Sequence, residues 1–140
     1  MYVTASDIEI RTTPDRGRAV FAARAFRKGE LVDRALVIIG DTEWADLPAW
    51  INCFVYNWPE IGGKGGRQAI ALGNGSLFNS SLRANMSFRA SAGNDAVEYF
   101  AARDIEPGEE LTINYSSDHG EPTSSDNSWF VERGIDYIDG

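Results

Sequence analysis

Cysteine is nearly absent from this chain: Cys53 is the only one in 140 residues. A lone cysteine excludes an internal disulfide and any cysteine-rich zinc cluster. Histidine is as scarce. His119 has no second histidine with which to hold a metal, and it reads as a loop residue. Lysine is limited to Lys28 and Lys64 among 13 basic residues, so the chain offers few amines of its own for modification. No run of about 18 apolar residues occurs, which excludes a transmembrane helix. The first residues lack the basic and apolar stretches of a secretory leader. These absences predict a cytoplasmic protein that needs no metal.

What is present is ordinary in amount and uneven in placement. Apolar residues make up 43% and charged residues 24% of the chain, which suits one globular domain over residues 1–140. Residues 116–140 read as a C-terminal lid or tail. The net charge is −8, yet residues 1–90 carry 11 basic and 9 acidic side chains while residues 91–140 carry 2 and 12. An acidic C-terminal half repels nucleic acid and attracts a basic partner. A solvated, solubilising surface accounts for the same charge.

Short β-prone segments dominate the pattern: residues 8–12, 18–23, 31–39, 52–58, 68–72, 86–90, 96–102 and 111–115 read as strands. Asp41 and Thr42 can cap a short helix over residues 43–50, with Pro48 limiting its regularity, and residues 129–138 read as a short final helix. Residues 59–66, with four glycines and one proline, read as a mobile loop that lacks phosphate-loop spacing. The sum is an all-β or β-rich α+β domain. Residues 21–31 and 100–111 echo each other 79 residues apart, each running strand, apolar anchor, glycine turn, acidic residue, strand. Two copies suggest β-turn-β units packed about a pseudo-two-fold axis.

Three segments carry chemistry when taken in order. The first is Arg16-Gly17-Arg18-Ala19-Val20-Phe21. The second is Phe78-Asn79-Ser80-Ser81-Leu82-Arg83-Ala84-Asn85. The third is Gly108-Glu109-Glu110-Leu111, ending in Asn114-Tyr115. Together they resemble the SET domain, the fold of many protein lysine methyltransferases, over residues 8–115. Ala19 stands where the family has its second glycine, Ser80 where it has histidine, Leu82 where it has cysteine and Ala84 where it has proline.

The resemblance implies a mainly β protein of the β-clip, or SET, fold. It would have several small sheets, one or two short helices and a knot-like threading of the central segment beneath the final motif. It implies S-adenosylmethionine as methyl donor and a lysine in a basic protein segment as acceptor. Tyr115 would be the catalytic tyrosine, with Tyr56 a second tyrosine of the lysine channel or a core aromatic. Gly17, Arg18, Ala19, Asn79, Ser80 and Tyr115 would contact the donor, and Trp129 or Phe130 would close the lid in place of a zinc cluster. Such transfer consists mostly of positioning a neutral amine behind the methyl group. A lysine amine titrates near ~10.4, so the site must favour the neutral form. Exposed strand edges are compatible with a homodimer. A rival reading, favoured by Ser80, Ala19 and Ala84, is a SET-fold interaction module that has lost catalysis. Donor binding separates the two.

Overall fold

The computed structural model describes residues 7–115 and 119–123. Nine strands occupy them: β1 (Ile8–Thr13), β2 (Gly17–Ala22), β3 (Leu31–Gly40), β4 (Val55–Asn57), β5 (Gln68–Ala71), β6 (Asn79–Ser80), β7 (Met86–Ala90), β8 (Ala96–Ala101) and β9 (Thr112–Ile113). They form a β1–β2 hairpin, a five-stranded sheet in the order β4-β5-β3-β8-β7, and a parallel β6–β9 pair. This is the mainly β architecture of several small sheets that the sequence predicts. The final helix expected over residues 129–138 lies outside the described residues, as do Trp129, Phe130 and most of the 116–140 tail.

Alternation of side chains along each strand decides which face is buried. Asp33, Ala35, Tyr56, Ala69, Ala71, Phe88, Val97, Tyr99 and Ala101 point inward from the large sheet, while Arg34, Leu36 and Ile38 point outward. The sheet is curled. Strands β4 and β7 are its two edges, which a flat sheet would hold about 19 Å apart at about 4.8 Å per strand. Yet the rings of Tyr56 and Phe88 meet edge to face with centroids 5.4 Å apart.

The repeated segment is a structural pair as well. Phe26 and Ile105 exchange backbone hydrogen bonds of 2.9 and 2.8 Å. The Gly29 amide donates to Ala101 and the Gly108 amide to Ala22, each at 2.7 Å. The Ala22 amide donates to Glu109 at 2.8 Å and the Ala101 amide to Glu30 at 2.9 Å. Every partner has its counterpart 79 residues away, the signature of a local two-fold. Both turn glycines sit at positive φ, 87° and 89°, where an L side chain is strained. The ion pairs repeat too, Arg24 with Glu30 and Arg103 with Glu109.

Two expectations change. The helix over residues 43–50 is instead a 3-10 turn, Trp44–Asp46, and a single α turn, Ala49–Asn52. Pro48 separates them because it precludes a continuous hydrogen-bond ladder. The glycine-rich loop is pinned rather than mobile. Lys64 exchanges two hydrogen bonds with the Asn94 side chain, and the buried Trp58 indole donates to the Lys64 carbonyl at 3.1 Å. Gly63 lies flat on that indole, where a Cβ would stand 2.2 Å from the ring.

Candidate active site

The three sequence motifs meet around the β6–β9 pair. Asn79 pairs with Thr112 and Ser80 with Ile113 in parallel register. Such pairing needs a crossover connection, and here it joins the central motif to the final one. Asn85 secures the junction from a buried position. Its Nδ2 donates to the Glu110 carbonyl at 2.8 Å, and its Oδ1 accepts from the Thr112 amide at 2.9 Å. The Ser80 hydroxyl accepts the Tyr115 amide at 3.1 Å.

The first motif reaches the same place through Asn79. Its Nδ2 donates to the Glu110 carboxylate at 2.9 Å and touches the Arg18 carbonyl at 3.4 Å. Glu110 also takes an ion pair from Arg16, whose Nε lies 3.6 Å from Asp15. Gly17 and Arg18 are exposed beside this cluster, whereas Ala19 is fully buried in β2. Arg16 and Glu110 escape sequence reasoning, since a charged residue beside a turn ordinarily reads as solvated surface. Both are mostly buried here, at 16% and 13% side-chain exposure. Arg16 Nε and Nη1 are buried without a hydrogen-bond partner among the described residues. Such donors are costly to leave unmade, and they suit an anionic ligand group.

Tyr115 is half-buried and its hydroxyl donates to the Phe78 carbonyl. Burial first, and the nearby Cys53 and Glu110 next, push its hydroxyl up to about 12. Tyr56 lies close enough to Tyr115 for an ionised Tyr115 to oppose its ionisation. The Tyr56 hydroxyl donates to the Gly75 carbonyl at 2.7 Å and lies 2.6 Å from the Tyr99 hydroxyl. Burial raises the pKa of both Tyr56 and Tyr99, so all three tyrosines stay neutral at physiological pH. Phe78 and Phe88 flank Tyr99, with ring centroids 4.6 and 6.2 Å from it. Of the residues expected at the site, Tyr115, Tyr56, Asn79, Ser80, Gly17, Arg18 and Ala19 are all in or beside this region. His119 sits apart, its Nδ1 3.2 Å from the Glu60 carbonyl.

The curled sheet, the parallel crossing and the tyrosines beside it define a SET domain. A family model described as SET domain matches residues 17–116, and the chain belongs to that family. Over 134 residues it is 32% identical to a Schizosaccharomyces pombe protein described as "Histone-lysine N-methyltransferase, H3 lysine-37 specific". That alignment covers 94% of this chain and 82% of the relative. A Plasmodium falciparum crystal structure described as a candidate histone methyltransferase superposes with a TM-score of 0.63 at 19% identity, over 79% of this chain and 94% of that one. This second likeness is one of fold.

Proposed function

We propose that this chain is a protein-lysine N-methyltransferase that uses S-adenosylmethionine and acts on a basic, histone-like segment. The observation that carries the reading is the state of its two site tyrosines. Tyr115 and Tyr56 each commit the hydroxyl proton to a backbone carbonyl, Phe78 and Gly75 respectively. Each oxygen therefore meets a ligand as an acceptor. An amine nitrogen placed before them has its N–H bonds drawn to the tyrosine oxygens, which leaves its lone pair directed elsewhere. When bound, S-adenosylmethionine would supply an electrophilic methyl group: the neutral amine would take it as the methyl–sulfur bond breaks, S-adenosylhomocysteine would leave, and the resulting methylammonium would give its proton to solvent.

The residues present fit that donor. Arg16 offers buried guanidinium donors to a carboxylate, and Asn79 and the Arg18 carbonyl offer polar contacts beside them. Gly17 and Arg18 present exposed backbone next to the cluster. Ser80 takes no histidine-like role and instead holds the amide of Tyr115. Trp129 is proposed as a lid residue on sequence grounds alone.

A basic substrate is supported by the 12 acidic and 2 basic side chains of residues 91–140, and a histone by the name of the fission-yeast relative. A homodimer is supported by Leu36, Ile38 and Leu72, which stand 55%, 58% and 45% exposed on the outer face of the large sheet. Apolar groups clustered in this way are uncommon on monomers. Two measurements test the central reading. S-adenosylmethionine should raise the melting temperature, and core histones should acquire methyl-lysine. No thermal shift at a donor concentration of ~1 mM would overturn it, since a ligand that binds only the native state must stabilise it.

A further inference from the structure

Tyr99 carries a fully buried hydroxyl that the proposed chemistry does not use. It is 0% exposed, so no substrate reaches it. Its hydroxyl is 2.6 Å from that of Tyr56 and 3.3 Å from the Gly75 carbonyl. Each phenol has one proton to donate. The Tyr56 proton has the better route to Gly75, at 2.7 Å. The short contact between the two hydroxyls is then assigned as a bond donated by Tyr99. The distances favour the order Tyr99 to Tyr56 to the Gly75 carbonyl over the reverse, which would end on the longer 3.3 Å contact.

The carbonyl at the end of this relay is held firmly. Gly75 belongs to the 3-10 turn Gly73–Ser76, packed on Ala35 and Ala71 so closely that a Cβ would stand 2.7 and 2.5 Å from their methyl groups. The neighbouring Asn74 side chain lies near enough to the Asp33 carboxylate to favour its charged form. Asp33 is 4% exposed, is the cross-strand partner of Tyr99, and accepts the Arg34 amide at 2.8 Å. One buried carboxylate on β3 thus lies beside the turn whose carbonyl terminates the tyrosine relay.

We infer that Tyr99 is a positioning residue: by donating to Tyr56 while Gly75 accepts from it, Tyr99 locks the Tyr56 hydroxyl as an acceptor facing the substrate amine. Without that donor the Tyr56 hydroxyl has a second orientation, in which its own proton points at the amine. In that state it competes for the lone pair needed for methyl transfer. The inference deepens the proposed methyltransferase reading and rests on it.

The experiment is a double-mutant cycle on Tyr56→Phe and Tyr99→Phe, with core histones as acceptor. Tyr99→Phe keeps the ring and removes only the hydroxyl. It should retain the thermal shift produced by S-adenosylmethionine, leave KM for histone within about twofold, and lower kcat by roughly five- to tenfold, the usual worth of one buried hydrogen bond. The double variant should be no slower than Tyr56→Phe alone, because Tyr99 acts only through Tyr56. A kcat for Tyr99→Phe equal to the wild type, or losses that multiply in the double variant, would overturn the assignment. Packing alone predicts the latter. Failure of the wild-type chain to bind donor or to methylate histones would instead remove the reading beneath it, and this one with it.

Discussion

The Ser80 hydroxyl accepts the Tyr115 amide across the β6–β9 crossing, at 3.1 Å. A residue type unusual for its motif thus holds the backbone of the tyrosine that is proposed to face the acceptor amine. Ser80→Ala should leave the fold intact and reduce turnover several-fold, since it removes one neutral hydrogen bond of about 1 kcal/mol. Methylation kinetics, compared with the donor-induced thermal shift, would separate loss of alignment from loss of donor binding.

Tyr115→Phe removes the oxygen that is proposed to face the amine. It should lower kcat by roughly 10²-fold or more, the scale of a preorganised polar contact in an active site, and change donor affinity little. Radiolabelled methyl transfer and calorimetric donor binding test the two halves of this statement. Because the Tyr115 hydroxyl is pushed up to about 12, it stays protonated through pH 10. The rate should therefore climb with pH across the range from 7 to 9 as the acceptor lysine loses its proton, without a falling limb from Tyr115.

Arg16→Met should abolish much of the thermal shift caused by S-adenosylmethionine and also lower the melting temperature of the free chain, because the mostly buried Glu110 carboxylate loses its ion pair. The variant deletes the buried Nε and Nη1 donors, which have no hydrogen-bond partner among the described residues, along with the Nη2 ion pair to Glu110, and it keeps the aliphatic stem. A donor analogue lacking the amino-acid carboxylate should stabilise wild type and variant alike. Equal shifts with the intact donor would place its carboxylate elsewhere.

The Asp33 carboxyl is pushed above its ordinary range by burial, with bonds from the Arg34 amide and Asn74 opposing the shift. The folded chain therefore prefers protonated Asp33 more than the unfolded chain does. Its contribution to stability is complete below about 3.9, the unfolded carboxylate value, and is lost as pH rises through the higher folded value. Asp33→Asn cannot ionise, so its stability relative to wild type should improve steadily from pH 3 to pH 7. Urea unfolding at several pH values reads that difference directly, and a difference independent of pH would contradict the buried, destabilised carboxylate.

Replacing Leu36 and Ile38 together with lysine should leave donor binding intact and shift the chain to monomer. Light scattering after size exclusion checks both the wild-type dimer and its loss. A wild-type monomer at high concentration would dispose of the homodimer.

Much of this was legible in the sequence because it is written in local chemistry. Pro107-Gly108 and Lys28-Gly29 announce turns, and their flanks repeat closely enough to foretell a two-fold. The motif around Asn79 and the run to Tyr115 mark the candidate site. The tyrosine relay was not legible, because Tyr56, Gly75 and Tyr99 come from three separate segments and meet only after the sheet curls. On its own strand Tyr99 looks like any inward aromatic. Arg16 and Glu110 were hidden for a related reason: their burial depends on a segment 94 residues away. The short helix failed as an expectation because one proline outweighed a favourable cap.

The paired turns around Gly29 and Gly108 also set the order in which the molecule can be built. Each turn closes its own bond, the Glu30 amide to Arg27 and the Glu109 amide to Glu106, but the bonds that dock each turn are supplied by the other copy, 79 residues distant. Contacts of that separation repay their loop-closure entropy late, and chains rich in them fold slowly. A nascent chain must expose its first turn without a mate until the second has been made. Tyr115 follows that second turn by only a few residues, so the residues proposed for the site can meet only after both turns have been made.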